Sequence, residues 1–207
     1  RLTATPDPQA SHGASCRRLR RLLVAIGGDR GLKPSKRGMT GPMSAERPSA
    51  TPTTVGIVVN GRRRHATVEA GDSLLTTVRE GFGLTGAKPA CEVGTCGACT
   101  VLLDDEAVYS CLVLGVECED RRVDTVEGLA DHGELSRLQD AFIECDALQC
   151  GFCTSGQLMS LEGLRRAEPE PTSEDIERAV QGNLCRCGAY RHILDAAEVA
   201  LTVRSAS

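Results

Sequence analysis

Three cysteines crowd into one short stretch, Ala90-Cys91-Glu92-Val93-Gly94-Thr95-Cys96-Gly97-Ala98-Cys99-Thr100, and a fourth follows at Cys111 after a strand-like run. Cys-x4-Cys-x2-Cys followed by a distant cysteine is the ligand spacing of plant-type 2Fe-2S clusters. The spacing has a chemical reason. Three thiolates on one loop must reach two irons from one side, so the loop has to wrap the metal with its amides pointing at sulfur. Gly94, Gly97 and Ala98 allow the backbone to come that close, because a larger substituent at Cβ would hold the amides away. A zinc site is the alternative, but zinc knuckles usually present two Cys-x2-Cys pairs, and this loop has one.

Composition supports metal over a conventional core. Only 2% of the 207 residues are aromatic, which leaves no stacking surface for single-stranded nucleic acid and no large aromatic interior. The cysteine count is 11, an odd number. Thiols grouped as Cys-x2-Cys and Cys-x-Cys among glycines favour metal over disulfides. Charge is split along the chain: residues 1–52 hold 10 Lys+Arg against 3 Asp+Glu, and residues 53–207 hold 14 against 25. An acidic body repels a phosphate backbone, so nucleic acid is not an expected partner. No apolar run approaches the roughly 20 residues of a membrane-spanning helix.

Read in order, residues 1–52 form a basic leader rich in Pro, Ser, Thr, Gly and Arg, expected to be disordered. Within it, Arg17-Arg18-Leu19-Arg20-Arg21 and the following apolar run resemble a twin-arginine export signal, but the run stops at Gly27-Gly28 with no Ala-x-Ala after it. The expected location is therefore cytoplasmic, with periplasmic export as the alternative. Cys16 in this leader is expected to be a free thiol. Residues 53–128 then read as a β-grasp 2Fe-2S ferredoxin-type domain. Val55, Ile57 and Val59 alternate, Asn60-Gly61 signals a hairpin, and Ala66 and Val68 return. Asp72 is expected to cap a short helix carrying Leu74, Leu75 and Val78. A second hairpin from Thr100 to Val113 is expected to deliver Cys111, and Arg122 to Val126 supplies one more strand.

Beyond residue 128 the period becomes helical, with Leu135, Leu138, Phe142 and Cys145 on one face and Leu158, Leu161 and Leu164 on another. Thr172-Ser173-Glu174-Asp175 reads as a capping box opening a helix through Ile176, Ala179 and Val180. A last helix carries Ile193, Leu194, Ala197 and Leu201. Residues 129–203 thus read as a small four-helix bundle, and the fold class as α+β. Cys150-Gly151-Phe152-Cys153 and Cys185-Arg186-Cys187 lie at the ends of these helices and make a second set of four thiolates. Cys-x2-Cys suits structural zinc as well as iron; Cys-x-Cys leans towards a cluster, where adjacent thiolates can serve one iron. Cys118, in a strand-rich stretch, and Cys145 are expected to be apolar packing rather than ligands. His65 and His132 are given no ligand role.

Lys88 through Val101, Gln149-Cys150-Gly151-Phe152-Cys153-Thr154 and Gly182-Asn183-Leu184-Cys185-Arg186-Cys187 together resemble the iron-sulfur subunit of the molybdenum hydroxylases, the family of xanthine dehydrogenase, aldehyde oxidoreductase and carbon monoxide dehydrogenase. The resemblance covers residues 53–203. Cys153-Thr154-Ser155-Gly156 and Cys187-Gly188-Ala189-Tyr190 depart from the commoner Cys-Thr-Pro-Gly and Cys-Arg-Cys-Thr-Gly-Tyr, and the second variant looks like the bacterial aldehyde-oxidising branch. The resemblance implies an electron-transfer subunit with two 2Fe-2S clusters, one on Cys91, Cys96, Cys99 and Cys111 and one on Cys150, Cys153, Cys185 and Cys187. It further implies a large subunit with molybdopterin beside the second cluster, a medium subunit with FAD beside the first, and an aldehyde or purine-like substrate oxidised on the large subunit. By the same resemblance Gln149 and Cys187 would hydrogen-bond the pterin; otherwise Gln149 caps the helix beside it. Arg186, between two ligands, would stabilise the reduced cluster or be a plain surface charge. The chain has no Ser-His-Asp set, P-loop or dinucleotide motif, so substrate chemistry and flavin binding belong on partner chains. A free-standing ferredoxin with a structural zinc in its helical domain is the competing reading.

Overall fold

A computed structural model describes residues 51–202. The leader, its arginine-rich run and Cys16 lie outside the described residues. Chain order runs from a five-stranded sheet to a set of helices. Strand β1 (Thr53–Val59) buries Val55, Ile57 and Val59, and it pairs antiparallel with β2 (Arg62–Val68). Asn60 and Gly61 connect them with φ of 48° and 73°, as a two-residue hairpin turn of primed type requires. Asn60 also accepts from the Thr125 N–H at 2.8 Å, tying the turn to the far end of the sheet.

Helix α1 (Leu74–Thr76) continues through a wider turn over Thr77–Gly81. Its cap is Ser73, whose Oγ accepts from the Thr76 N–H at 3.1 Å, and not Asp72 as the sequence suggests. Asp72 instead accepts from the Glu69 N–H at 2.8 Å and closes the turn before the helix. Strands β3 (Thr100–Leu103), β4 (Glu106–Tyr109) and β5 (Arg122–Asp124) complete the mixed sheet, in the order β2-β1-β5-β3-β4. β5 runs parallel to β1 and antiparallel to β3. The second hairpin ends earlier than its apolar pattern implies, because Ser110–Leu112 turns into a 3-10 helix that carries Cys111. Cys118 likewise sits in a 3-10 turn, Gly115–Cys118, and not in a strand.

Four helices follow: α2 (Arg137–Glu144), α3 (Thr154–Ala167), α4 (Ser173–Val180) and α5 (Tyr190–Thr202). Leu135 falls just before α2 because Ser136 and Gln139 form a capping box there. Two apolar cores result. One joins Val55, Ile57, Leu74, Val78, Val101 and Val123 under the sheet; the other joins Leu138, Phe142, Leu161, Ile176 and Ile193 between the helices. β3 is buried on both faces. Its Leu102 meets α3 at Gly163, where an added Cβ would stand 3.1 Å from the Leu102 side chain. Arg166 of α3 then binds Asp124 of β5 at 2.5 Å, and Asp105 of the β3–β4 turn at 2.6 Å. Sheet and helices are therefore joined by packing and by charge.

Candidate metal centres

The first cysteine set lies on the loop between α1 and β3 and on the 3-10 turn after β4. Glu92, Gly94 and Gly97 have φ of 54°, 74° and 70°, which curls the loop so that amides face inward. The Thr95 N–H donates to Cys91 Sγ at 3.3 Å. The Thr95 side chain and the amides of Val93 and Thr95, with the neighbouring Cys96, pull the Cys91 thiol down to about 6. Cys99 is the opposite case: burial pushes its thiol up to about 11, with the neighbouring Cys111 side chain adding to the rise. Ser110 holds this corner by donating from Oγ to the Cys99 carbonyl at 2.6 Å.

The second set is built on two helix-entry turns. Cys150 and Cys153 flank Gly151, whose φ is 78°, and Cys153 occupies the cap position of α3. Cys185 and Cys187 precede Gly188, with φ of 76°, and then α5. Burial raises the Cys153 thiol to about 12, with the adjacent Cys185 adding to the effect. Burial also acts to raise Cys185, but the amides of Ala189, Cys187 and Gly188 and the Cys153 thiol outweigh it and hold Cys185 below its usual value. Cys153 and Cys185 thus lie near enough for each to shift the other's ionisation. The turn buries Cys185 and leaves Cys187 exposed.

These residues fit a two-iron group. Buried neighbouring thiols resist ionising together, and a cationic centre between them removes that penalty. Inward amides favour sulfur in its anionic form. The thiols of Cys99 and Cys111, and those of Cys153 and Cys185, lie near enough to shift one another's ionisation.

Gln149, Cys150, Arg186 and Cys187 are all exposed. Gln149 does not cap α3, because Cys153 is in that position. Cys118 is fully buried, its thiol raised to about 11 by burial and directed at the Leu114 carbonyl at 3.5 Å. Cys145 ends α2, half-buried, with burial raising its thiol. Each cysteine set has exposed apolar neighbours: Val93 and Leu112 beside the first, and Phe152, Leu184 and Tyr190 beside the second. Among the described residues no helix is long and apolar enough to cross a membrane.

Sequence reasoning passed over the junction between the two sets. The Leu184 N–H donates to the Cys96 carbonyl at 2.8 Å, and Asn183 Nδ2 donates to the Gly97 carbonyl at 2.8 Å. Tyr109 Oη donates to the Gly182 carbonyl at 3.0 Å. The signal was present as glycines: a Cβ on Gly97 would stand 2.6 Å from both Asn183 Nδ2 and the Gly182 carbonyl, and one on Gly156 would strike the Gly97 carbonyl.

Comparison with known proteins gives two matching family models, a 2Fe-2S iron-sulfur cluster binding domain over residues 57–135 and a 2Fe-2S binding domain over residues 125–198. The chain is 48% identical to the nicotine 6-hydroxylase small subunit of Paenarthrobacter nicotinovorans, over 76% of its own length and 92% of the relative's. It is 37% identical to the aldehyde oxidoreductase iron-sulfur-binding subunit PaoA of Escherichia coli (strain K12), over 75% and 76% of the two chains. In the crystal structure of quinoline 2-oxidoreductase from Pseudomonas putida 86, one chain superposes with a TM-score of 0.69 at 41% identity, covering 72% of this chain and 94% of that one.

Proposed function

The chain belongs to the iron-sulfur subunits of the molybdenum hydroxylase family, and from that premise we propose that it relays electrons singly between a molybdopterin-bearing large subunit and an FAD-bearing medium subunit. Cys91, Cys96, Cys99 and Cys111 would hold one 2Fe-2S cluster, and Cys150, Cys153, Cys185 and Cys187 the other, in domains spanning residues 53–128 and 129–203. When bound, each cluster supplies a carrier that takes and gives one electron at a time. The observation that carries this reading is that both cysteine sets sit on glycine-turned loops, with backbone amides donating to the sulfurs of Cys91 and Cys185.

The residues divide the work. Inward amides stabilise negative charge on sulfur, and burial of Cys99 and Cys185 keeps water from one side of each set. Exposure of Cys150 and Cys187 leaves the second set open to a partner, and the Gln149 amide stands beside it, suited to hydrogen-bond a pterin. Val93 and Leu112 offer an apolar rim at the first set for the flavin-bearing partner. The Cys96 carbonyl bound to the Leu184 N–H gives a short bonded route from one set to the other. The substrate oxidised on the large subunit is proposed to be a nitrogen heteroaromatic ring, purine-like in that respect, before an aldehyde. The relative named for nicotine is nearer in sequence than the one named for an aldehyde.

Metal and acid-labile sulfide analysis of the purified chain tests the reading. About four irons and four sulfides per chain are expected, with two distinct paramagnetic signals after reduction. Cys96→Ser should remove one signal and Cys185→Ser the other, with far-ultraviolet circular dichroism confirming the fold in each. Stoichiometric zinc at the second set in place of iron would overturn it in favour of the ferredoxin reading.

A further inference from the structure

We propose that Asn183 is a positioning residue that fixes the separation between the two cysteine sets; this rests on the reading that both sets hold clusters. Asn183 is 1% exposed, and every polar group it owns has a partner. Its N–H donates to the Val180 carbonyl at 2.9 Å. Its carbonyl accepts from Gln157 Nε2 at 2.9 Å, and its Oδ1 accepts from Ser160 Oγ at 2.8 Å, both from α3. Its Nδ2 spends both hydrogens on the first cysteine loop, on the Gly97 carbonyl at 2.8 Å and on Thr100 Oγ1 at 3.3 Å. Thr100 Oγ1 can accept there because its own hydrogen goes to the Gly97 carbonyl at 2.6 Å.

The geometry is specific to asparagine. Gly97 lies between Cys96 and Cys99, and Asn183 lies two residues before Cys185, so one amide side chain spans the ends of both sets. The orientation of that amide is determined by its partners: the carbonyl of Gly97 needs a donor, and the hydroxyl of Ser160 needs an acceptor. Aspartate keeps the shape but turns an oxygen towards the Gly97 carbonyl. Glutamine is one methylene too long for a space in which Gly97 and Gly156 already lack room for a Cβ. Buried and fully bonded, the network is stiff. Electron exchange between two one-electron centres falls steeply with their separation, so a stiff spacer keeps its rate constant through the motions of the partner subunits.

Asn183→Asp in the full chain decides the matter with two measurements. Hydrogen exchange at the Leu184 amide, which is bound to the Cys96 carbonyl, should quicken by about tenfold. The spin-spin splitting between the two reduced centres should change while the g-values of each centre and the iron content stay native. A merely structural residue would not move that splitting. Native exchange and native splitting in a folded Asn183→Asp chain would overturn the proposal. Should that variant not fold, Thr100→Val replaces it; it removes the second acceptor of Asn183 together with the hydroxyl's own bond to the Gly97 carbonyl, and the same two measurements decide. A native chain without iron would sink the cluster reading, while the exchange arm would still decide whether Asn183 joins the two loops.

Discussion

Gly156 lies in the first turn of α3, where alanine would ordinarily improve helix stability by up to about 1 kcal/mol. Here the methyl group would strike the Gly97 carbonyl and come within 2.9 Å of Asn183 Nδ2. Gly156→Ala is therefore expected to destabilise by about 1–3 kcal/mol, read as a lower denaturation midpoint. A gain in stability would show that the two loops can separate freely. Cys118 gives a second test at this scale. Its thiol is buried in the sheet core with only a weak contact to the Leu114 carbonyl, so the smaller and more polar hydroxyl of Cys118→Ser should cost about 1–3 kcal/mol. Iron content should be unchanged if the two sets of four cysteines hold the iron; iron loss would mean the ligand partition is wrong.

Helix α4 depends on its entry. Eight residues are short for an isolated helix, and the Thr172–Asp175 capping box satisfies donors at both ends of its first turn: the Asp175 N–H reaches Thr172 Oγ1 at 3.3 Å, and the Thr172 N–H reaches Asp175 at 3.0 Å. Thr172→Ala should cost about 1 kcal/mol near neutral pH. The Thr172 hydroxyl, its N–H and Arg178 hold the Asp175 carboxyl below its ordinary value. A depressed folded value means that this stabilisation is complete above the unfolded value of about 3.9 and is lost as pH falls through the folded one. The difference between native and Thr172→Ala chains should accordingly be flat from about pH 5 to 8 and narrow below about pH 4. Thermal melts across that range check it, and a gap that widens in acid would contradict it.

At the scale of the whole molecule, Arg166 makes a charge contact between sheet and helices. Burial acts against the Arg166 cation, but Asp124, Glu162 and Asp105 outweigh it and raise its pKa. Glu162 is held low despite its own burial because Arg165 and Arg166 both bind it. Arg166→Met leaves Asp124 without this partner and Glu162 with one guanidinium instead of two. A cost of about 2–3 kcal/mol is expected, below the range for a fully buried pair because Arg166 remains partly exposed. The sign with pH is the same as for Asp175: Glu162 and Asp105 have lowered folded values, so their stabilisation is present above about pH 4.5 and lost on acidification. Arg166→Met should flatten the acid limb of the stability curve; an unchanged limb would show that these carboxylates do not drive it.

Local chemistry was legible in the amino-acid sequence alone: the cysteine spacings, the Asn60-Gly61 turn, the alternation of Val55, Ile57 and Val59, and the Thr172 capping box all depend on neighbours a few residues away. Those features sufficed for the α+β class and the order of sheet and helices. Tertiary structure alone decided what depends on distant residues meeting. The nearness of Cys185 to Cys153 follows from how the turn after α4 is laid against the cap of α3, which no spacing encodes. Ser73 displaced Asp72 as a cap because Asp72 was engaged by Glu69. Asn183 looks in sequence like any polar residue in a Gly-Asn turn, since its partners are 86, 83, 26 and 23 residues away. Its role exists only once the first cysteine loop is set down on α3, because hydrogen bonds act over a few ångströms and only folding brings those atoms that close.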